Sequence, residues 1–108
     1  MDFRTLQYFT AVAGELNFTR AAEKLKITQP PLSNAIQALE KDLGAELFIR
    51  GKRQLQLTEA GALLLHRANQ MLALAEKTRS DLSHLESGLT GTVSLGMVEG
   101  RAPYIAAR

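Results

Sequence analysis

The 108-residue sequence has no cysteine, so neither a disulfide framework nor a thiolate metal site is available to it. No apolar run approaches the roughly 18 residues needed to cross a bilayer. The start, Met1-Asp2-Phe3-Arg4, lacks the basic stretch and apolar block of a secretory signal. A soluble, cytoplasmic chain with no membrane association is the expectation. Proline is scarce, with three residues and none in 58–88, which leaves that stretch open to a long helix. A strong excess of one charge is also lacking, since a net +2 is too small to single out a polyanionic partner. The length suits one small domain plus an appendage and excludes two large cores.

What charge there is lies unevenly. Residues 1–57 hold eight Lys or Arg against six Asp or Glu, and residues 58–88 hold three against four. Between Glu46 and Glu59 there is no acid, yet Arg50, Lys52 and Arg53 all fall there.

Helical periodicity organises the first half. Leu6, Phe9, Ala13 and Leu16, widened by Val12, predict an amphipathic helix from residue 2 to about 15, ending near Gly14 and turning through Asn17. Phe18, Ala21, Ala22 and Leu25 share one face of a short second helix, for which Thr19 is the expected cap. After Lys26-Ile27-Thr28, Gln29-Pro30-Pro31 opens a third helix, because prolines are tolerated where amide donors have no intrahelical partner. Leu32, Ala35, Ile36, Leu39 and Leu43 form its expected buried stripe, and Gly44 its left-handed stop.

Leu47-Phe48-Ile49, the basic Arg50-Gly51-Lys52-Arg53, and the alternating Gln54-Leu55-Gln56-Leu57 read as a small hairpin with a basic tip, a wing at about 47–57. Thr58 can cap a fourth helix reaching Ser87-Gly88, about 31 residues and so roughly 45 Å. Along it Leu64, Ala68, Met71, Ala75, Thr78, Leu82 and Leu85 alternate steps of four and three, the repeat of a seam between paired helices. Val93, Leu95 and Met97 then alternate with small polar residues, as in the first strand of a further domain. The fold class is therefore mainly α: a winged helix-turn-helix in 1–58, a dimerising linker helix in 59–88, and a hinge with the start of another domain in 89–108.

The chemistry lies on the third helix, at about 30–43. Gln29, Ser33, Asn34 and Gln37 offer uncharged donors and acceptors with no carboxylate before Glu40, and such side chains read base edges in a major groove. The same composition suits a plain solvent face. Arg50, Lys52 and Arg53 can neutralise phosphates or enter a minor groove, with a solvated basic turn as the plain alternative. For the sevenfold stripe the alternative is packing on the chain's own core, but a helix of this length outruns a core so small, which favours pairing. His66 and His84 fall off the seam and do not share a face as metal ligands would. No phosphate loop and no nucleophile-base spacing is present, so neither catalysis nor a cofactor is expected. A winged-helix module that docks protein rather than DNA is the rival reading, and the acid-free helix face beside a basic wing weighs against it.

These residues resemble a known family. Phe9, Phe18-Thr19-Arg20-Ala21-Ala22, Leu25, Thr28-Gln29-Pro30-Pro31-Leu32-Ser33, Ile36, Leu39-Glu40, Leu43-Gly44, Leu47-Phe48, Arg50, Arg53 and Leu57-Thr58-Glu59-Ala60-Gly61 look like a LysR-type transcriptional regulator. The resemblance is close over 1 to about 88 and continues at 91–97 into the opening strand of the family's effector-binding domain. It implies a bacterial regulator that binds a pseudo-palindromic operator in double-stranded DNA as a homodimer, with tetramers common for whole proteins. A small-molecule inducer would act only through the C-terminal domain missing from these residues. By resemblance Gln29, Pro30 and Ser33 face the groove and Arg50 and Arg53 are the wing arginines, while Thr19, Arg20, Thr28 and Pro31 complete the expected DNA face. Asn34 departs from the pattern, standing where many relatives carry a basic residue, a difference that bears on a phosphate contact and on base preference.

Overall fold

The computed structural model describes residues 1–51 and 53–91, the last six of these by backbone alone. In chain order the elements are α1 (Phe3–Glu15), α2 (Phe18–Leu25), α3 (Gln29–Leu43), β1 (Phe48–Arg50), β2 (Leu55–Leu57) and α4 (Glu59–Gly91). This is the expected mainly helical class with a two-stranded antiparallel wing. The chain divides into two compact units, Met1–Ala73 and Leu74–Arg108.

Local chemistry sets the helix ends. Thr5 donates its amide to Asp2 Oδ1 at 2.8 Å, satisfying one of the donors that the first turn of α1 leaves without a partner. The helix stops at Leu16, which turns left-handed (φ 50°) and donates its amide to Val12. Leu16 thus leaves the helical stripe on which it was expected, yet still packs on the core. α2 is capped by Asn17 and not by Thr19: Asn17 is extended, and its Oδ1 accepts from the Arg20 amide at 2.8 Å. Thr19 lies one position inside the helix, where its backbone is already helical. Gly44, at φ 68°, ends α3 as expected.

The core of the first unit is built from the predicted periodicities. Leu6, Phe9, Val12 and Ala13 of α1 meet Ala21 and Ala22 of α2 and Leu32, Ile36 and Leu39 of α3, with Leu47 and Phe48 closing it. Phe48 is its aromatic hub, with ring centroids 5.5 Å from Phe9 and 6.2 Å from Phe18. The α3 stripe is shorter than expected: Ala35 is half-buried, and Leu43 is 40% exposed because the core ends a turn earlier. In the wing Phe48 pairs with Leu57, Ile49 with Gln56 and Arg50 with Leu55. Leu55 and Leu57 are half-buried and Gln56 is exposed, the alternation its sequence requires.

The start of α4 is bolted to the residues before the wing. Thr58 accepts from the Gly61 amide at 2.9 Å, capping the helix as its sequence suggested, and donates its hydroxyl to the Glu46 carbonyl at 2.6 Å. Its own amide donates to Leu47 at 3.0 Å. Gly61 makes this approach possible, since a Cβ there would fall on the Leu47 carbonyl oxygen and lie 2.8 Å from Leu57 Cδ2. Further along, Ala68 is fully buried against the core, with Leu64, Leu65, Met71 and Leu72 packed around it. The helix continues past Gly88, its expected end, to Gly91. A helical glycine costs about 1 kcal/mol relative to alanine and does not by itself stop a helix. The strand expected at 93–97 lies outside the described residues. Among the described residues no helix is long and apolar enough to cross a membrane.

Candidate nucleic-acid interface

α2, its turn and α3 form the helix-turn-helix. The turn is closed by Lys26 in the left-handed region (φ 60°) and by the Ile27 amide donating to Ala22 at 3.0 Å. α3 begins without a side-chain cap at Thr28. The adjacent prolines explain this: of the four amides a helix start leaves orphaned, Pro30 and Pro31 have none to satisfy.

With Leu32, Ile36 and Leu39 buried, the other side of α3 is fixed to solvent. Gln29, Pro30, Pro31, Asn34 and Gln37 are exposed there and Ser33 is half-buried. Positions 30, 33, 34 and 37 follow helical spacing, so these side chains share one face. Thr19, Arg20 and Thr28 are exposed as well. Arg20 and Lys24 lie 4.0 Å and 3.8 Å from the two oxygens of Glu15, long surface pairs of little strength that leave both cations available.

The two described wing cations are placed differently. Arg53 is exposed. Lys52 lies outside the described residues. Arg50 is drawn back toward the helices: its Nη2 is 3.5 Å from Glu40 Oε1, and its guanidinium carbon lies 5.6 Å from the centre of the Phe18 ring. Glu40, named in the sequence as the first acid after the polar face, had no role assigned to it there. Its other oxygen accepts from the amides of Leu47 at 2.8 Å and Phe48 at 3.3 Å. Its sequence signals are its place in the family pattern as Leu39-Glu40 and its position as the acid that ends an otherwise uncharged polar run on α3.

The proposed seam is divided. Leu64, Ala68 and Met71 pack on the core of their own unit, and Ala68, with no exposed surface, cannot meet another chain. The sevenfold spacing in those turns serves the face that caps the helix-turn-helix, and spacing alone does not tell an internal seam from an external one. In the second unit Ala75 is half-buried, Thr78 is exposed and donates its hydroxyl to Leu74, and Leu74, Leu82 and Leu85 are 63%, 61% and 60% exposed. His66 and His84 are exposed, and no cluster able to hold a metal occurs among the described residues.

Comparison with known proteins agrees with this geometry. Residues 3–62 match the bacterial regulatory helix-turn-helix protein, lysR family. The HTH-type transcriptional regulator IlvR of Caulobacter vibrioides is 49% identical over 98 residues, which cover 91% of this chain and 33% of IlvR. The chain thus spans about a third of the length of that relative. Among solved structures, the complex of the BenM DBD with catB site 1 DNA is 42% identical, with a TM-score of 0.79 over 82% of this chain and 99% of that one. The CbnR DBD bound to DNA is also 42% identical, with a TM-score of 0.74 over 81% and 99%. The chain belongs to the lysR family of bacterial helix-turn-helix regulators, and its winged domain is a DNA-binding domain rather than an enzyme.

Proposed function

We propose that this domain reads a pseudo-palindromic operator as a homodimer, with α3 in the major groove and the wing on the backbone or in the minor groove. The supporting observation is the polar face of exposed Gln29, Asn34 and Gln37 and half-buried Ser33 on a helix whose opposite side is locked into the core. Glu40, the first acid after that face, is turned to the Leu47 and Phe48 amides and so is kept from opposing DNA. Gln29 and Asn34 can bond adenine in bidentate fashion and Ser33 either base, whereas Arg20 and Arg53 add affinity that is indifferent to sequence. Thr19, Thr28, Pro30 and Pro31 border the groove, and Lys52 joins the wing cations. Asn34 stands in place of a basic residue, and base choice at that position is where its effect is sought.

Pairing is assigned to the second unit, where Leu74, Leu82 and Leu85 lie open. A twofold protein calls for a twofold site. In the whole protein, which acts in the cytoplasm, a small-molecule inducer binds through a further C-terminal domain.

The test is a titration onto fluorescent duplexes, including the region upstream of the protein's own gene, at two salt concentrations with random competitor. Gln29→Ala is expected to weaken operator binding alone. Arg53→Ala is expected to weaken binding on every sequence and to lower the slope of log K against log salt by about 0.9. Equal losses on operator and random DNA for Gln29→Ala remove its assigned role. A folded dimer that binds no duplex selectively promotes the protein-docking alternative.

A further inference from the structure

A single carboxylate on the last turn of α3 holds the beginning of the wing. One oxygen of Glu40 takes the backbone amides of Leu47 and Phe48, and the other faces the guanidinium of Arg50 at 3.5 Å. The Glu40 side chain is only 14% exposed, so its charge has little water to stabilise it and depends on these partners. Arg50 in turn stands between Glu40 and the face of Phe18, 5.6 Å from the ring centre, and that ring packs edge-on against Phe48. Arg50 pairs with Leu55, the last rung of the ladder before the hairpin tip that carries Arg53. Fixing Arg50 therefore fixes the base of the tip, and fixing Leu47 and Phe48 fixes the strand that leads to it.

We propose that Glu40 is a positioning residue that sets the wing against the recognition helix, and that Arg50 is its cationic partner in the scaffold rather than a phosphate ligand. Arg53 is then the described wing arginine that meets DNA. A phosphate reaching Arg50 would have to compete with a carboxylate already beside it. Drawing Arg50 away would also leave Glu40 uncompensated on a helix lying against a polyanion. The inference rests on the DNA-binding reading of the wing.

The experiment uses the full chain and four variants: Glu40→Gln, Arg50→Gln, the double Glu40→Gln/Arg50→Gln, and Arg53→Gln. Glutamine at 40 keeps an oxygen for the two amides, so the comparison isolates the ion pair from the cap. Without DNA, each single substitution of the pair is expected to lower the melting midpoint, and the double variant to melt no lower than the worse single one. Midpoint losses that simply add overturn the clamp.

With DNA, the double variant leaves the net charge of the wing region unchanged. Its salt slope on random duplex is expected to match the wild type, while preference for operator over random DNA falls several-fold as the wing loses its place. Arg53→Gln is expected to lower the slope by about 0.9. A slope lowered equally by the double variant makes Arg50 a phosphate ligand, and unaltered preference removes the positioning role. A wild-type chain that binds no duplex overturns the DNA reading instead, and the melting cycle, which needs no DNA, still decides the clamp.

Discussion

Gly61 offers the most direct test of how α4 is joined to the winged domain. In Gly61→Ala the new methyl group falls on the Leu47 carbonyl oxygen and presses on Leu57 Cδ2, and the first of these neighbours is backbone that cannot rotate aside. The start of α4 must retreat by on the order of an ångström, an overpacking strain that costs about 1–3 kcal/mol. That retreat stretches three hydrogen bonds at one point: Thr58 N to Leu47 O, the Thr58 hydroxyl to Glu46 O, and Gly61 N to Thr58 Oγ1. Weakening them costs on the order of 1 kcal/mol each if fully lost. Alanine returns about 1 kcal/mol of helix propensity. The balance is a net loss of roughly 2–3 kcal/mol, or a fall in melting midpoint of about 10 °C or more for a domain this small.

Gly14→Ala supplies the control, because a Cβ there meets nothing within 4 Å and only the propensity gain of up to about 1 kcal/mol remains. Thermal melts followed by circular dichroism should therefore move in opposite directions for two chemically identical substitutions. A Gly61→Ala chain that melts at or above the wild type refutes the close approach of α4 to Leu47.

Other substitutions probe the remaining joints. Lys26 is exposed and left-handed at the end of α2, so Lys26→Gly relieves strain of about 1 kcal/mol, partly offset by the freer unfolded chain, and should raise the midpoint by a few degrees. The hydrogen bond from the Thr5 amide holds the Asp2 carboxyl below the usual aspartate range. Its contribution is thus present above the unfolded-state pKa and lost as pH falls through the folded one; fraying of α1 on acidification, seen by amide exchange, should be absent in Asp2→Ala. Ala68→Asp buries a charge in the core and should unfold the first unit, whereas Leu82→Asp should leave its melting unchanged and shift sedimentation toward monomer. If Leu82→Asp keeps the wild-type sedimentation, the pairing surface lies elsewhere.

Much of the fold was legible because it rests on neighbours in sequence. The apolar spacings of α1, α2 and α3, the left-handed Gly44, the alternation of Leu55-Gln56-Leu57 and the Thr58 cap are each enforced within a few residues, where helix and strand geometry leave few choices. Where the sequence pointed to Thr19 as the cap of α2, the observed backbone chose otherwise: the extended conformation falls on Asn17. The polar face of α3 was legible for the same reason, since a buried stripe at 32, 36 and 39 leaves only one side for Gln29, Ser33, Asn34 and Gln37.

By itself, then, the sequence determined the elements, their order and the faces they present, because those follow from short-range sterics and periodicity. Tertiary structure decided what each face meets. A sevenfold stripe on α4 carries no mark of where the chain's own core stops, so packing alone assigned Ala68 inward and left Leu74, Leu82 and Leu85 open. A basic run names three cations without ranking them, and only a carboxylate ten residues back, folded within 3.5 Å, set Arg50 apart from Arg53. Contacts between residues so far apart along the chain arise when the core closes, and no local rule encodes them.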